Sequence, residues 1–349
     1  MPALDAYARK ATLAEDLGTA QYTQLMEARV RSVRGDSGAS DAVPDRSIYD
    51  GAASGAQVVK VMQTAVDTGY TFYVAPHMDA LVSAAADSLP EDDVLNVHDL
   101  PTPQGFLWIP GGLTVLDIKG RVLKYNAALW TSYGGEAFVW WLTDKYDDGD
   151  TTNLEIRQTA SDQAWAQFPT LTPNGESRIR FGGPLPKAVA ATKVLPPEVR
   201  SSMYWDPKQG LVMAWDHGYT AEEIQEWIRP SAGPDPAVSW LLACWRLMQQ
   251  SVARLDDVEM PRQIRKLGRR AGLPSDYVTV INLRSKPSRG DGESAVSWSH
   301  RWLRRGHWRQ QPYKEDGVWV RKTIWIHPTV CGPEGLPLVI KDHVYNLTR

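Results

Sequence analysis

Two histidines near the carboxyl end of the chain are the residues best suited to catalysis on a phosphate. Cleavage of RNA without a metal needs a base for the 2'-hydroxyl, an acid for the leaving oxygen and a cation for the crowded phosphorane. The candidate acid and base are His307 and His327, and nearby arginines would supply the cation. A histidine alone more often binds or packs than transfers protons, so a structural role is the alternative.

Arginines, a lysine and two tryptophans accompany these histidines and could hold RNA without cutting it. Arginine forks bind phosphate oxygens bidentately, and tryptophan rings stack on unpaired bases. The candidate RNA- and phosphate-binding residues are Arg304, Arg305, Arg309, Arg321, Lys322, Trp308 and Trp325. Core packing or cross-strand pairing explains the tryptophans equally well, because aromatic pairs stabilise many sheets.

Two strands, over 298–310 and 318–326, would position these side chains. Alternate residues of a strand point to opposite faces, so Val320 and Ile324 predict a buried face on the second strand. Trp325 then points outward or into a cleft. The residues that we expect to converge on one cationic pocket are Arg305, His307, Arg309, Arg321 and His327.

The rest of the chain predicts an α+β fold with N-terminal helices, a central antiparallel β meander, a helical segment and a C-terminal basic β-hairpin module. Apolar residues at a helical repeat predict helices over 3–33, 55–68, 77–88 and 236–254. Apolar runs separated by glycine turns at 111–112, 119–120 and 134–135 predict strands over 106–109, 113–118, 122–130 and 137–142. Residues 70–73 would connect two helices, and 153–158 and 177–181 would add edge strands.

The distribution of charge divides the chain into two regions. Residues 262–325 hold fifteen Lys or Arg against five Asp or Glu, a local charge of +10, so the rest of the chain carries −13 and the total is −3. Clustered cations gain free energy by displacing counterions from phosphates, which makes a basic block typical of a polyanion site. We therefore expect two domains, 1–260 and 261–349, of which the second faces RNA or the ribosome.

Composition and motifs disfavour several classes of protein. A mean hydropathy of −0.36, with 24 prolines and 27 glycines, argues against a membrane span, a coiled coil or a solenoid. Two cysteines are too few for a disulfide framework, and no phosphate-loop or dinucleotide pattern occurs, so neither a cofactor nor a metal is expected. The N-terminus lacks the pattern of a secretory signal, which predicts a cytoplasmic location and no membrane partner.

One part of the sequence resembles a known family. Leu303-Arg304-Arg305-Gly306-His307-Trp308, followed by Tyr313, by Val320-Arg321 and by Trp325-Ile326-His327-Pro328, is similar to the C-terminal strands of a phage anti-CRISPR family directed against the type V-A CRISPR effector. Weaker similarity lies at 106–118. The matching positions are Arg305, Gly306, His307, Trp308, Arg321 and Trp325.

The resemblance implies a function during translation in a bacterial host cell. Members of that family bind the N-terminal nascent peptide of their target and trigger degradation of its mRNA, so the expected partners are a nascent peptide and the mRNA or the ribosome. Region 1–260 would recognise the peptide, and region 261–349 would face RNA. Two alternatives stay open: a metal-independent ribonuclease, and a nucleic-acid-binding regulator that uses the basic helix from Arg262 in a helix-turn-helix.

Overall fold

The computed structural model shows an α+β protein, the class that the sequence predicts, which divides into two compact units, Met1–Leu283 and Arg284–Arg349. A seven-stranded mixed sheet with helices packed on it forms the first unit. The described part of the second unit consists of short strands. The residues whose structure is described are 2–36, 54–90, 92–116, 122–147, 150, 156–186, 203–206, 210–213, 234–250, 253–283, 301–304, 307–315, 318–326, 329–331 and 338–339.

Helices precede and flank the sheet. They are α1 (Pro2–Leu17), α2 (Ala20–Asp36), α3 (Gly55–Thr68), α4 (Pro76–Ala86), α5 (Asp162–Gln167), α6 (Pro236–Met248) and α7 (Arg262–Arg270). The helix predicted over 3–33 is confirmed except at 18–19, where the Thr19 hydroxyl accepts a hydrogen bond from the Tyr22 amide at 3.2 Å and begins a second helix. The helix predicted over 55–68 is confirmed with its bounds, since the Ser54 hydroxyl caps its first turn.

Strands β1 to β9 belong to the first unit, and β10 to β14 belong to the second. In chain order they are β1 (Tyr70–Val74), β2 (Gln104–Leu116), β3 (Val122–Tyr133), β4 (Glu136–Asp144), β5 (Leu171–Arg180), β6 (Met203–Asp206), β7 (Gly210–Met213), β8 (Ala253–Glu259), β9 (Tyr277–Leu283), β10 (Arg301–Arg304), β11 (His307–Glu315), β12 (Val318–Ile326), β13 (Thr329–Cys331) and β14 (Leu338–Val339). β2 to β5 form the predicted antiparallel meander, within a sheet of order β5-β4-β3-β2-β1-β9-β8.

β1 lies inside the sheet, although its sequence suggests a connector between helices. It pairs in parallel with both β2 and β9, so that Phe72 lies opposite Leu107 and Thr279. Both partners are distant in the chain, and the local pattern carries no sign of them. The strand predicted over 153–158 is also wrong for residues 156–158, which are helical, whereas 177–180 belong to β5 as predicted.

β2 is one strand with a bulge, and the hairpin turn predicted at its two glycines is wrong. Gly111 and Gly112 have φ angles of 79° and 71°, and the pairing with β3 shifts between Trp108 and Leu113. Positive φ angles are accessible to glycine at little cost, so the pair permits the bulge without ending the strand. The glycine turn predicted at 134–135 does close the β3–β4 hairpin, and 119–120 lie outside the described residues.

Tryptophans fill the core between the sheet and α6. Trp130 of β3 is fully buried, and its ring centroid lies 5.3 Å from that of Trp245 in α6. The neighbouring Arg246 binds the carboxylates of Asp93 and Asp99 at 2.6 and 3.1 Å. The helix is therefore held to the sheet by ring packing and to the segment before β2 by a buried ionic cluster.

A lysine of α1 is buried in the same unit. The Lys10 ammonium group donates a hydrogen bond to the Gly69 carbonyl at the start of β1. Burial lowers the pKa of Lys10 to about 7, and the nearby Asp67 carboxylate opposes that change only in part. The first unit therefore contains a charge whose burial costs stability near neutral pH.

Residues 261–283 belong to the first unit, and the boundary expected at 261 is displaced. β9 lies between β1 and β8 in the large sheet. Gly268 of α7 packs so closely on α1 that an added Cβ would stand 1.8 Å from the Tyr7 hydroxyl oxygen. The distribution of charge along the sequence reflects the protein surface, whereas the boundary between the two units is set by strand pairing and packing. It falls after Leu283.

The described strands of the second unit form a hairpin and a small separate sheet. β11 pairs with β12, whereas β10 pairs antiparallel with β13 and parallel with β14. The continuous strand predicted over 298–310 is therefore wrong in its described part, because β10 and β11 take different partners. Arg304 lies in the small sheet opposite Thr329, away from the pairing of β11.

Within the described residues, no helix is long and apolar enough to cross a membrane. The same residues contain no group of three or more His, Cys, Asp or Glu side chains that could hold a metal ion. Cys244 is a free thiol in α6, and burial raises its pKa to about 12, so it has the environment of an unreactive core residue.

Candidate functional site

The β11–β12 hairpin holds most of the described residues that the sequence suggests for RNA binding. Its register is uninterrupted, with Trp308 opposite Trp325, Arg309 opposite Ile324 and Pro312 opposite Arg321. Residues directly opposite each other in an antiparallel pair share a face, and neighbours along a strand alternate between faces. The register therefore decides which of the candidate side chains can act together.

One face of the hairpin changes from buried to exposed along its length. At one end the rings of Trp308 and Trp325 lie 5.3 Å apart between centroids, tilted by 60°, and Trp325 is only 4% exposed. Toward the turn, Trp319 is 69% exposed and lies opposite the exposed Lys314. We call the exposed part, which consists of Pro312, Lys314, Trp319 and Arg321, the tip face.

The other face carries a half-buried His307, an exposed Arg309 and an exposed Tyr313. The Arg309 guanidinium donates a hydrogen bond to the Gln311 side-chain oxygen at 2.5 Å. Arg309 and Arg321 thus project from opposite faces, because Arg309 pairs with Ile324 and Arg321 pairs with Pro312. The prediction that these two arginines converge on one pocket is wrong.

Trp325 is only 4% exposed, so the prediction that it points outward or into a cleft is wrong. It is buried against Trp308, whereas Ile324 and Ile326 of the alternate face, which the sequence assigns to the core, are only half-buried. Large aromatic rings bury more apolar surface than isoleucine, so the tryptophan pair is the better core at this end of the hairpin. The buried Trp325 therefore has a packing role, the alternative that the sequence left open, whereas RNA binding by the half-buried Trp308 stays a prediction.

The catalytic histidine pair stays a prediction. His307 lies opposite Ile326 at the end of the hairpin, while His327 and Arg305 lie outside the described residues. Lys322 lies opposite Gln311 in the register. Among the described residues of the hairpin, no second histidine stands beside His307.

Sequence reasoning missed Trp319 and Lys314 as candidate binding residues. The signal was present, because Asp316-Gly317 between two alternating strands is a strong hairpin-turn pattern. Residues next to such a turn lie farthest from a core and remain accessible. The ring of Trp319 with the cations of Lys314 and Arg321 is an arrangement that can stack on an unpaired base and neutralise its flanking phosphates.

A second candidate surface is an apolar cleft of about 540 Å³ in the first unit. It lies between α3 and the strands β2, β3, β4 and β5. Its lining residues are Gln57, Val58, Val61, Thr64, Gln104, Thr131, Ser132, Tyr133, Phe138, Trp140 and Arg178. Val61 is exposed and Tyr133 is 82% exposed, so apolar surface is open to a ligand.

The charged group of the cleft is already neutralised. The Arg178 guanidinium forms an ion pair with the Glu136 carboxylate at 2.7 Å and lies 5.6 Å from the ring centroid of Phe138. A paired guanidinium has little attraction left for an anion, and its flat face adds to the apolar wall. The cleft therefore suits apolar or aromatic side chains better than a phosphate.

The basic helix α7 does not begin a helix-turn-helix. Gly272, at a φ of 76°, ends the helix, and the Leu273 amide donates a hydrogen bond to the Gly268 carbonyl at 2.8 Å. The chain then enters β9 at Tyr277 instead of a recognition helix. The helix-turn-helix interpretation of α7 is therefore wrong.

Comparison with known proteins identifies no family for this chain. No protein-family model matches it, and a search of curated proteins finds no significant match. The resemblance at 303–308 stays a prediction. Function is therefore inferred from the tip face and the cleft.

Proposed function

We propose that this protein is an inhibitor from a phage or mobile element that binds the N-terminal nascent peptide of a target protein during translation and triggers degradation of the mRNA. Such a protein needs one surface for apolar side chains of a peptide and another for RNA. The observation that carries the proposal is the tip face, where the exposed Trp319 lies opposite Lys314 and two residues from Arg321 on the same face. Its setting would be the cytoplasm of a bacterial host.

The tip face supports contact with unpaired RNA. Trp319 is 69% exposed and so forgoes most of the about 2–3 kcal/mol that burial of an indole ring is worth, which makes it a candidate for contact with a partner. Lys314 and Arg321 flank Trp319 on the same face. A base stacked on the ring would bring its own phosphates to these cations, and duplex RNA, whose bases are already stacked, would not.

The cleft supports binding of a short peptide segment. Its volume of about 540 Å³ is within the usual range for ligand sites. The rim residues Val61 and Tyr133 offer apolar contact, and the paired Arg178 removes free charge from the wall. A peptide with two or three apolar side chains near its N-terminus fits these properties.

The first step of the test is to purify the protein, crosslinked, from translating cells and to identify the attached ribosomes, RNA and nascent chains. The N-terminal codons of the recovered chain are then fused to a reporter gene. We expect the reporter mRNA to fall only when it encodes that leader and is translated. Equal loss of a reporter with a scrambled leader, or of one whose start codon is removed, would contradict the proposal.

Two variants separate the surfaces in the same assay. Val61→Asp places a charge in the cleft and should abolish leader-dependent loss, and Trp319→Ala with Arg321→Gln should do so through the tip face. The matched control is Tyr70→Ala with Arg157→Gln, which removes an exposed aromatic and an exposed cation from the first unit. Control activity equal to wild type, with both test variants inactive, is the expected result.

The ribonuclease alternative is decided by an assay with purified protein and naked RNA. We expect no cleavage, because the proposal assigns degradation of the mRNA to a recruited nuclease and only binding to this protein. Cleavage that disappears in His307→Ala, while the thermal unfolding of the protein is unchanged, would replace recruited degradation with intrinsic catalysis.

A further inference from the structure

Helix α7 presents a row of cations on one side. Arg262, Lys266, Arg269 and Arg270 are spaced at i, i+4, i+7 and i+8, which places them on one side of a helix. All four are exposed. Gly268 lies on the opposite side, packed against Tyr7 of α1. We call these four residues the α7 row.

The α7 row keeps a net positive charge. Arg262 and Lys266 form no ion pair with any described residue. Arg269 pairs with Asp276 at 3.1 Å and Arg270 pairs with Glu15 at 3.6 Å, but their side chains are 71% and 80% exposed. Exposed ion pairs contribute little free energy, so a phosphate can share or replace these partners. The fifth cation of the helix, Arg265, is half-buried and binds Glu259.

The helix is held rigidly enough to act as a fixed surface. An added Cβ at Gly268 would overlap Tyr7, so α7 and α1 are in close contact there. The Tyr7 hydroxyl donates a hydrogen bond to the Asp276 carboxylate at 3.4 Å, and burial with that carboxylate raises the pKa of Tyr7 to about 12. The backbone of such a preorganised helix loses little conformational entropy on binding, so that the ordering cost is confined to the four side chains.

The chemistry of the row favours a phosphate backbone over unpaired bases. From Arg262 to Arg270 the helix rises about 12 Å, and a duplex strand presents a phosphate about every 3.4 Å along its axis, so the row can follow several phosphates. α7 contains no aromatic residue that could stack on a base. Base-paired RNA, which offers phosphates and 2'-hydroxyls while its bases stay stacked, fits such a surface.

We propose that the α7 row binds the backbone of base-paired RNA without reading its sequence. The α7 row belongs to the first unit, and the tip face, which would contact unpaired RNA, belongs to the second. A protein that acts on ribosomes meets both kinds of RNA, and a backbone contact would raise its local concentration there. The choice of RNA as the polyanion rests on the proposed function, whereas the contact with a duplex phosphate backbone is drawn from α7.

The test uses the full-length protein and a fluorescent RNA duplex of about 16 base pairs, with binding followed by anisotropy over a range of salt concentrations. The variant combines Arg262→Gln, Lys266→Gln, Arg269→Gln and Arg270→Gln, and glutamine keeps the helix propensity. We expect the affinity to fall about 10- to 100-fold, and the slope of log affinity against log salt to fall by about 2 to 4.

The matched control removes four exposed cations elsewhere in the first unit: Lys60→Gln, Arg157→Gln, Arg180→Gln and Arg254→Gln. It changes the net charge by the same amount. An equal loss of affinity in this control would reduce the effect to net charge and overturn the proposal. So would wild-type affinity in the α7 variant, or tighter binding of the wild type to a DNA duplex of the same sequence.

The tip-face variant, Trp319→Ala with Arg321→Gln, separates this site from the proposed RNA contact of the hairpin. The tip-face variant should bind the RNA duplex with an affinity within about twofold of wild type. The α7 variant should bind an unstructured single-stranded RNA with the affinity of wild type. Loss of duplex binding in the tip-face variant alone would overturn the α7 assignment and leave the tip face in place. Loss of single-strand binding in the tip-face variant alone supports two separate surfaces.

Discussion

The two compact units use tryptophan in different ways. In the first unit, Trp130, Trp141, Trp240 and Trp245 are fully buried between the sheet and its helices. In the second, one end of the β11–β12 hairpin buries Trp325 against Trp308, while Trp319 near the turn is 69% exposed. A residue type that packs the core at these four positions of the first unit is thus held in solvent at one described position of the second.

This difference shows where to look for function in the chain. A buried ring is explained by the free energy of folding, and its removal should unfold the protein. The exposed ring of Trp319, with Lys314 and Arg321 on the same face, is not explained by packing among the described residues of its unit. The number of tryptophans, which is high in this sequence, is therefore uninformative until each ring is assigned to one of the two groups.

The largest effect is expected from Trp130→Ala. Deleting a fully buried indole leaves a cavity between β3 and α6, so the free energy of unfolding should fall by about 3–5 kcal/mol. Equilibrium denaturation in urea measures the free energy of unfolding of the variant and of wild type. The control Tyr70→Ala, at an exposed position of β1, should change stability by less than about 0.5 kcal/mol. Similar losses in both variants would contradict the assignment of Trp130 to the core.

A smaller loss is expected from Gly268→Ala. The new methyl group would overlap the Tyr7 hydroxyl, so α7 must shift on α1 and the free energy of unfolding should fall by about 1–3 kcal/mol. At Gly18 an added Cβ meets only the Glu15 carbonyl at 3.4 Å, and Gly18→Ala is the matched control. Equal stability of Gly268→Ala and wild type would show that α7 is not packed as described.

Lys10→Met tests the buried charge of the first unit. The folded-state pKa of Lys10 is about 7, below its ordinary value of 10.5, so between these pH values the unfolded chain binds a proton that the folded protein lacks. Lys10 should therefore contribute a free energy of unfolding that rises as pH increases from about 7 to 10.5, and the difference between wild type and the variant isolates it from the opposite effect of Cys244 above pH 9. The variant should lack this rise and gain about 1–2 kcal/mol at pH 7, because the lost hydrogen bond to Gly69 offsets part of the desolvation cost.

Denaturation at several pH values measures the effect of Lys10. Lys60→Met, at an exposed position of α3, should leave the pH profile unchanged. A profile of Lys10→Met that parallels wild type between pH 7 and 10.5 would mean that another group causes the dependence.

The smallest effect concerns the ring pair of the hairpin. A double-mutant cycle of Trp308→Ala and Trp325→Ala should give a coupling free energy of about 0.5–1.5 kcal/mol, because the rings lie 5.3 Å apart. A cycle of Trp308→Ala and Trp319→Ala should give a value near zero. Coupling in the second cycle would remove the distinction between the packed and the exposed end of the hairpin.

Local patterns predicted the parts of the fold that depend on neighbouring residues. The helix over 55–68, with its Ser54 cap, and the turn at 134–135 are confirmed. β1 could not be found in this way, because its partners lie in β2 and β9 and leave no trace in residues 70–73. The boundary after Leu283 was missed for a related reason, since charge does not report strand pairing.

The sequence predicted that the candidate site contains arginines and tryptophans, but it did not predict which of them share a face of the hairpin. The period of two correctly separates the residues of each strand into faces, yet it does not say which face is buried. Trp325 is buried because it meets Trp308 across the register, and that register also separates Arg309 from Arg321. A turn assigned to Asp316-Gly317 would have given the register, and with it the exposed position of Trp319.

The central claim is that Trp319 contacts unpaired RNA, and anisotropy of a fluorescent single-stranded RNA with the full-length protein measures this directly. Stacking on an aromatic ring contributes about 1–3 kcal/mol per base, so Trp319→Ala should weaken binding by roughly 5- to 150-fold. Trp319→Phe should restore part of it, and Tyr70→Ala should bind as wild type does. Equal affinity of Trp319→Ala and wild type for the RNA would contradict the claim.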